Sequence, residues 1–122
     1  MTFSVAITII GDSAAVVAIA GEADLYTAPQ LRAALVQVMD QGCRGVLVDL
    51  TRATFIDSST LGVLMGALGR LQRSSGGLAI ACPDSRIRHT FEITMLDQVF
   101  PIFDARGAGE AHIRRLAAAV PA

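Results

Sequence analysis

Val46-Leu47-Val48-Asp49-Leu50, then Thr51 to Ile56, then Asp57-Ser58-Ser59-Thr60-Leu61-Gly62-Val63-Leu64: this order of a short apolar run, a polar connection and a hydroxyl-headed apolar run decides the fold. The first run has the length and composition of a strand, and the last opens a helix. Asp57 or Ser58 is the natural N-cap, because a side-chain oxygen there accepts an amide hydrogen left free in the first turn. A phosphate suits the same place, since free amides and the positive end of the helix dipole both favour an anion.

Upstream, Thr27-Ala28-Pro29-Gln30 opens another helix. Thr27 with Gln30 has the form of a capping box, and Pro29 belongs in a first turn. Leu31, Ala34, Leu35 and Val38 share one stripe, and Gly42 closes the helix. Before it, Ala14 to Ala20 is a continuous apolar run of strand length, and Gly21 to Tyr26 reads as a loop. A strand, a helix and the strand 46–50 form a crossover, which is parallel and right-handed almost without exception. Phe3, Val5, Ile7 and Ile9 alternate with small or polar residues, so an earlier strand joins the run at Ala14 as a hairpin through Gly11-Asp12-Ser13.

Downstream, the helix after Asp57 carries an apolar face of Leu61, Leu64, Met65, Leu68 and Leu71 beside Gly62, Gly66 and Gly69. Each interior glycine costs up to about 1 kcal/mol against alanine, so three on one side need a compensating benefit. Close helix-to-sheet approach is the simpler one; a flat surface for a partner's backbone is the other. Ser74 to Gly77 ends the helix, and Leu78 to Cys82 is a strand. Pro83-Asp84 starts a short helix with Ile87, Phe91 and Met95 inward. Val99 to Phe103 is a last strand, which Pro101 assigns to a sheet edge. A final helix from Ala108 turns Ile113, Leu116, Ala117 and Val120 inward and Arg114-Arg115 outward. The expected fold is one α/β domain over residues 1–122, a mixed sheet of about five strands with four helices.

Composition narrows the function. Hydrophobic residues are 52% of the chain, yet no apolar run approaches the ~20 residues of a bilayer crossing, and no basic n-region precedes the first apolar stretch. A cytoplasmic protein without membrane attachment is expected. Ten basic and eleven acidic residues, unclustered, offer no groove for nucleic acid. Cys43 and Cys82 read as isolated thiols, and His89 and His112 as surface residues; no metal site or cofactor is expected. No serine-hydrolase elbow and no P-loop lysine is present, so no catalytic residue is assigned.

Parallel crossovers place Glu22 to Thr27, Thr51 to Ser58 and Pro83 to Ser85 at the carboxyl ends of their strands, the edge where ligands gather in open α/β sheets. Asp24, Asp57, Ser58, Ser59 and Asp84 are therefore expected on one surface, with Asp84 also a plausible N-cap. A loop hydroxyl between acids, with a helix behind it, suits receiving a phosphoryl group better than transferring one.

The segments Gly21-Glu22-Ala23-Asp24, Thr27-Ala28-Pro29, Val48-Asp49-Leu50 and Phe55-Ile56-Asp57-Ser58-Ser59-Thr60-Leu61-Gly62 resemble the successive signatures of STAS-domain anti-sigma factor antagonists. The resemblance covers the whole chain in element order, and its specific part is residues 21–66. It implies a partner switch. The unmodified antagonist binds an anti-sigma factor that is also a serine kinase and so frees a sigma factor, the kinase phosphorylates Ser58, and a serine phosphatase restores it. By the same resemblance Ser58 is the phosphoacceptor, and Asp24, Asp57, Ser59, Thr60 and Gly62 belong to the partner-binding surface. Thr60 replaces a small residue usual in the family and is expected to add a third hydroxyl and bulk beside the acceptor. Other STAS roles fit the chain too: an unmodified subunit of a transporter or lipid-trafficking complex, or a module for a small ligand or nucleotide.

The charges are scattered and the apolar stripes are all assigned to the core, so the chain is expected to be a monomer. Light scattering at micromolar concentration checks this, and a stable dimer contradicts it.

Overall fold

The computed structural model describes residues 3–119. Strands β1 (Ser4–Ile10), β2 (Ala14–Ala23), β3 (Gly45–Ile56), β4 (Gly77–Ala81) and β5 (Ile102–Phe103) form one sheet in the order β1-β2-β3-β4-β5. β1 and β2 make the antiparallel hairpin, and β2, β3, β4 and β5 are parallel neighbours. Helices α1 (Ala28–Asp40), α2 (Ser58–Arg73), α3 (Ser85–Ile93) and α4 (Arg106–Ala118) fill the connections and the C-terminal end.

Strand alternation divides the interior between the two sheet faces. Val17, Ile19, Val48 and Ile80 pack with Leu31 and Leu35 of α1 and Leu64 and Leu68 of α2, and Phe91 of α3 joins the same cluster. The opposite face carries Val16, Leu47, Ala79 and Ala81 against Ile113 of α4. Small residues there let α4 lie close. A Cβ on Gly45 would stand 2.2 Å from the Ile113 carbonyl oxygen. Arg44 then holds the end of α4, its guanidinium donating to the carbonyls of Ala117, at 2.8 Å, and Ala119.

α1 ends as the sequence indicates. Gly42, at φ 93°, donates to the Met39 carbonyl and Cys43 donates to the Val38 carbonyl, both at 3.0 Å, which satisfies two of the last carbonyls of the helix. Its start differs from expectation. Thr27 makes no side-chain cap bond, because its hydroxyl is occupied by the Asp24 amide at 2.8 Å. The chain enters α1 through a turn held by Asp24 instead of a Thr27–Gln30 capping box.

Other expectations also need correction. β2 continues through Gly21 to Ala23 and β3 through Thr51 to Ile56, stretches whose polarity reads as loop. Met65 of α2 is exposed, and Val63 and Ala67 take its place inside. Met95 lies beyond the end of α3, exposed and at φ 59°. The last strand is only Ile102–Phe103, because Phe100 turns inward to meet Phe91 edge-to-face at 6.2 Å. His112 is half-buried against Phe103 at 5.3 Å; burial first, and then Arg115, push its pKa below the ordinary imidazole value. Cys43 and Cys82 are both buried and unpaired. Val120, expected inward, lies outside the described residues.

The close contacts give a stability test. A Cβ on Gly76 would stand 2.1 Å from the Arg44 carbonyl oxygen, whereas one on Gly66 meets nothing within 4 Å. In urea titrations Gly76→Ala should lose about 2–3 kcal/mol or fail to fold, while Gly66→Ala should gain about 0.5–1 kcal/mol.

Candidate functional site

The site is built on a strand pair that outruns the rest of the sheet. β4 stays paired with β3 only to Asp49↔Ala81, and β1 reaches β2 only at Ser4↔Ala20. β2 and β3 continue together to Ala23↔Ile56, with β3 slipping forward between Ala18 and Ala20 and again between Gly21 and Glu22. Each irregularity adds a residue on the β3 side and sharpens the local twist. The second sets Phe55 opposite Glu22 and leaves its ring half exposed while Ala53 and Ile56 stay buried.

The loops that leave this ribbon are therefore neighbours, since Asp24 follows Ala23 and Asp57 follows its strand partner Ile56. Asp57 is the N-cap of α2, extended at φ −129°, and its carboxylate accepts from the Thr60 amide at 3.1 Å. The three consecutive hydroxyls then part ways. Thr60 is fully buried, and its hydroxyl donates to the Ala23 carbonyl at 2.9 Å. Ser59 is half-buried and Ser58 is exposed. This corrects the expectation of a third hydroxyl beside the acceptor: Thr60 lies beneath the surface, as a tie between α2 and the end of β2. The Ser58 and Ser59 amides have no protein partner among the described residues.

Asp24 is half-buried, and its carboxylate is committed locally. Oδ1 accepts from the amides of Tyr26 at 2.9 Å and Thr27 at 3.1 Å. The acid shapes the loop, and what the loop presents outward is Leu25 and Tyr26, 64% and 89% exposed. Sequence reading passed over these two residues and Phe55. The available signal was a pair of large apolar residues inside a turn segment, with no helix or strand period to bury them. Asp84 does not join the group chemically. It caps α3, accepting from the Arg86 amide at 2.8 Å, and the Arg86 guanidinium beside it holds its pKa below the usual carboxylate range.

Along α2 the exposed positions Ser58, Gly62, Met65 and Gly66 recur at helical spacing, so one bare stripe runs from the Ser58 hydroxyl down the helix. A Cβ on Gly62 or Gly66 would meet nothing within 4 Å. These glycines serve no helix-to-sheet contact, and the simpler of their two expected benefits falls away. Among the described residues no helix is long and apolar enough to cross a membrane, and no three His, Cys, Asp or Glu side chains are grouped to hold a metal ion.

The buried tie can be measured. Thr60→Val should cost about 1–3 kcal/mol in urea titration, because it strands a carbonyl in an apolar environment, and Thr60→Ser should recover most of that loss. Equal stability of the two variants would show the hydrogen bond to be dispensable.

The family model for the STAS domain matches residues 6–108. The anti-sigma-B factor antagonist of Staphylococcus epidermidis is 34% identical over 95 residues, which cover 78% of this chain and 88% of that protein. In fold the chain is similar to an anti-sigma factor antagonist from Mycobacterium paratuberculosis (TM-score 0.84, 23% identity, 93% and 95% of the two chains). It is also similar to SpoIIAA in its unphosphorylated form (TM-score 0.71, 24% identity, 95% and 100%). With the five-stranded mixed sheet and the Asp57-Ser58 helix mouth already in place, these likenesses settle the family: the chain belongs to the STAS-domain proteins, among the anti-sigma factor antagonists.

Proposed function

We propose that this protein is a cytoplasmic anti-sigma factor antagonist whose binding surface surrounds Ser58 and whose partner is a serine kinase that also serves as the anti-sigma factor. The observation that carries the reading is the sorting of the three hydroxyls: Ser58 alone is exposed, at the head of α2, between an exposed apolar rim of Leu25, Tyr26 and Phe55 and the bare glycine stripe. Apolar and aromatic residues of this kind anchor protein interfaces, and glycines let a partner's backbone approach closely. The role is that of a binding protein, not an enzyme.

Phosphorylation of Ser58 turns such a surface off without unfolding it. The phosphate brings close to two negative charges to a surface that is otherwise desolvated against the partner. Glu22, Asp24 and Asp57 already carry negative charge at that end, and the phosphate adds more of the same sign. Within the chain the phosphate is accommodated, because the unpartnered amides of Ser58 and Ser59 and the dipole of α2 favour an anion. A serine phosphatase restores the binding form.

The test is a titration of the kinase with wild type, Ser58→Ala, Ser58→Glu and Ser59→Ala, followed by intact mass after ATP. Ser58→Ala should bind as wild type, accept no phosphate and lose less than about 0.5 kcal/mol of stability, because Asp57 and not Ser58 is the cap. Ser58→Glu should bind more weakly than wild type but more tightly than the phosphoprotein, since one carboxylate carries about half the charge. Ser59→Ala should still be phosphorylated. Phosphate on Ser58→Ala would move the acceptor elsewhere, and equal affinity of all variants would end the partner-switch reading.

A further inference from the structure

α1 and α2 lie side by side on the sheet and leave a groove between their outer faces. Leu35, Val36, Met39, Val63 and Ala67 give it an apolar floor around a hollow of about 190 Å³. A second hollow of about 400 Å³ shares Met39, Arg70 and Arg73 with the first and carries the groove on to Ser74. Val36 is 37% exposed here.

The rim is cationic. Arg32 stands on α1, and Arg70 and Arg73 stand on α2. Asp40 pairs with Arg70 at 2.5 Å. Arg32 and Arg73 make no ion pair among the described residues. Arg70 and Arg73 have an internal use, since they sit in the last turn of α2 where its dipole favours cations. Arg32 has no such use: it lies in the second turn of α1, far from that helix's C-terminal end. In a chain of formal charge −1 this leaves an excess of positive charge around one apolar channel. Gly66 belongs both to the groove wall and to the bare stripe that begins at Ser58, so the channel is continuous with the surface proposed above.

We propose that this groove seats an acidic amphipathic helix of the protein partner, with apolar side chains on Val36 and Met39 and carboxylates against Arg32 and Arg73. The proposal rests on the Ser58 reading for the identity of the partner and extends it by a second anchor. A protein helix fits better than a small anion because the channel is long and open, whereas small-ligand sites enclose most of their ligand. Helix-in-groove docking needs an apolar track with matching charges along its edges, and both are present.

Three probes test it: the anti-sigma factor kinase; a synthetic helical peptide with a leucine face flanked by glutamates, beside a lysine-flanked twin; and phosphatidylserine vesicles. The proteins are wild type, the double variant Arg32→Glu with Arg73→Glu, Ser58→Glu, and a control with Arg114→Glu and Arg115→Glu on α4, each checked for unchanged urea stability. The double variant should lose about tenfold or more of its kinase affinity, with a flatter salt dependence, while the α4 control binds as wild type. The glutamate peptide should bind wild type, and neither its lysine twin on wild type nor the glutamate peptide on the double variant should bind. If the double variant binds the kinase as wild type does while Ser58→Glu does not, the groove is wrong and the Ser58 reading stands. The reverse pattern keeps the groove and removes the Ser58 reading. Should no form bind the kinase, the peptide decides, and its failure on wild type overturns the proposal. Vesicle binding without peptide binding overturns it in favour of a lipid surface.

Discussion

The pairing of β2 with β3 beyond the limits of their neighbours is the constraint on which the site depends. A two-stranded ribbon is poorly stable by itself, so its free end needs a further restraint. That restraint is the Thr60 hydroxyl, which reaches from the first turn of α2 to the Ala23 carbonyl at 2.9 Å. One hydrogen bond thus ties the end of β2 to the start of α2, and Ala23↔Ile56 ties β2 to β3. The Asp24 loop and the Asp57-Ser58 helix mouth cannot separate without breaking one of them. Since an unpartnered buried carbonyl costs about 1–3 kcal/mol, the arrangement is held well enough to present a fixed surface.

Most of the fold was legible because its signals are local or follow from handedness. The alternation of Phe3 to Ile9, the stripe from Leu31 to Val38 and the right-handed crossover lead to the observed topology without any long-range information. What escaped depends on contacts between distant parts of the chain. Thr51 to Ile56 carries polar and exposed residues because the strand there has outrun β4 and pairs with β2 alone, and single-sequence polarity cannot tell such a ribbon from a loop. The hydroxyl of Thr27 could equally cap α1 or receive the Asp24 amide, and only the turn geometry of 24–27 decides between them. Met65 and Val63 were exchanged in the core because the bare stripe of α2 is narrow, and a shift of one position in helical phase moves a residue across its edge.

The glycines show the same limit more sharply. Gly45, Gly76 and Gly109 are small because a backbone or a core leucine stands where their Cβ would be, at 2.2, 2.1 and 2.6 Å. Gly62 and Gly66 are small where nothing stands. A sequence presents both kinds as interruptions of a good helix or strand. The physical difference is that the first kind is required by the folded chain itself, while the second lowers helix stability and finds no return within the molecule. A residue that weakens its own element without a packing reason is where an external contact is to be sought, and here two such residues share a helical face with Ser58.

Charge is distributed along α2 in a way that keeps the two ends of this face independent. Glu22, Asp24 and Asp57 surround the head of the helix, and Arg70 and Arg73 close its tail, each sign where the helix dipole favours it. From Ser58 to Arg70 the helix rises about 18 Å at 1.5 Å per residue. That exceeds the screening length of about 8 Å at physiological ionic strength. A phosphate on Ser58 therefore acts on what touches the helix mouth and is nearly invisible to a carboxylate bound at the arginines. Under the proposed switch, the loss of binding on phosphorylation is therefore loss of the contact at the head, and the groove adds affinity without being part of the switch.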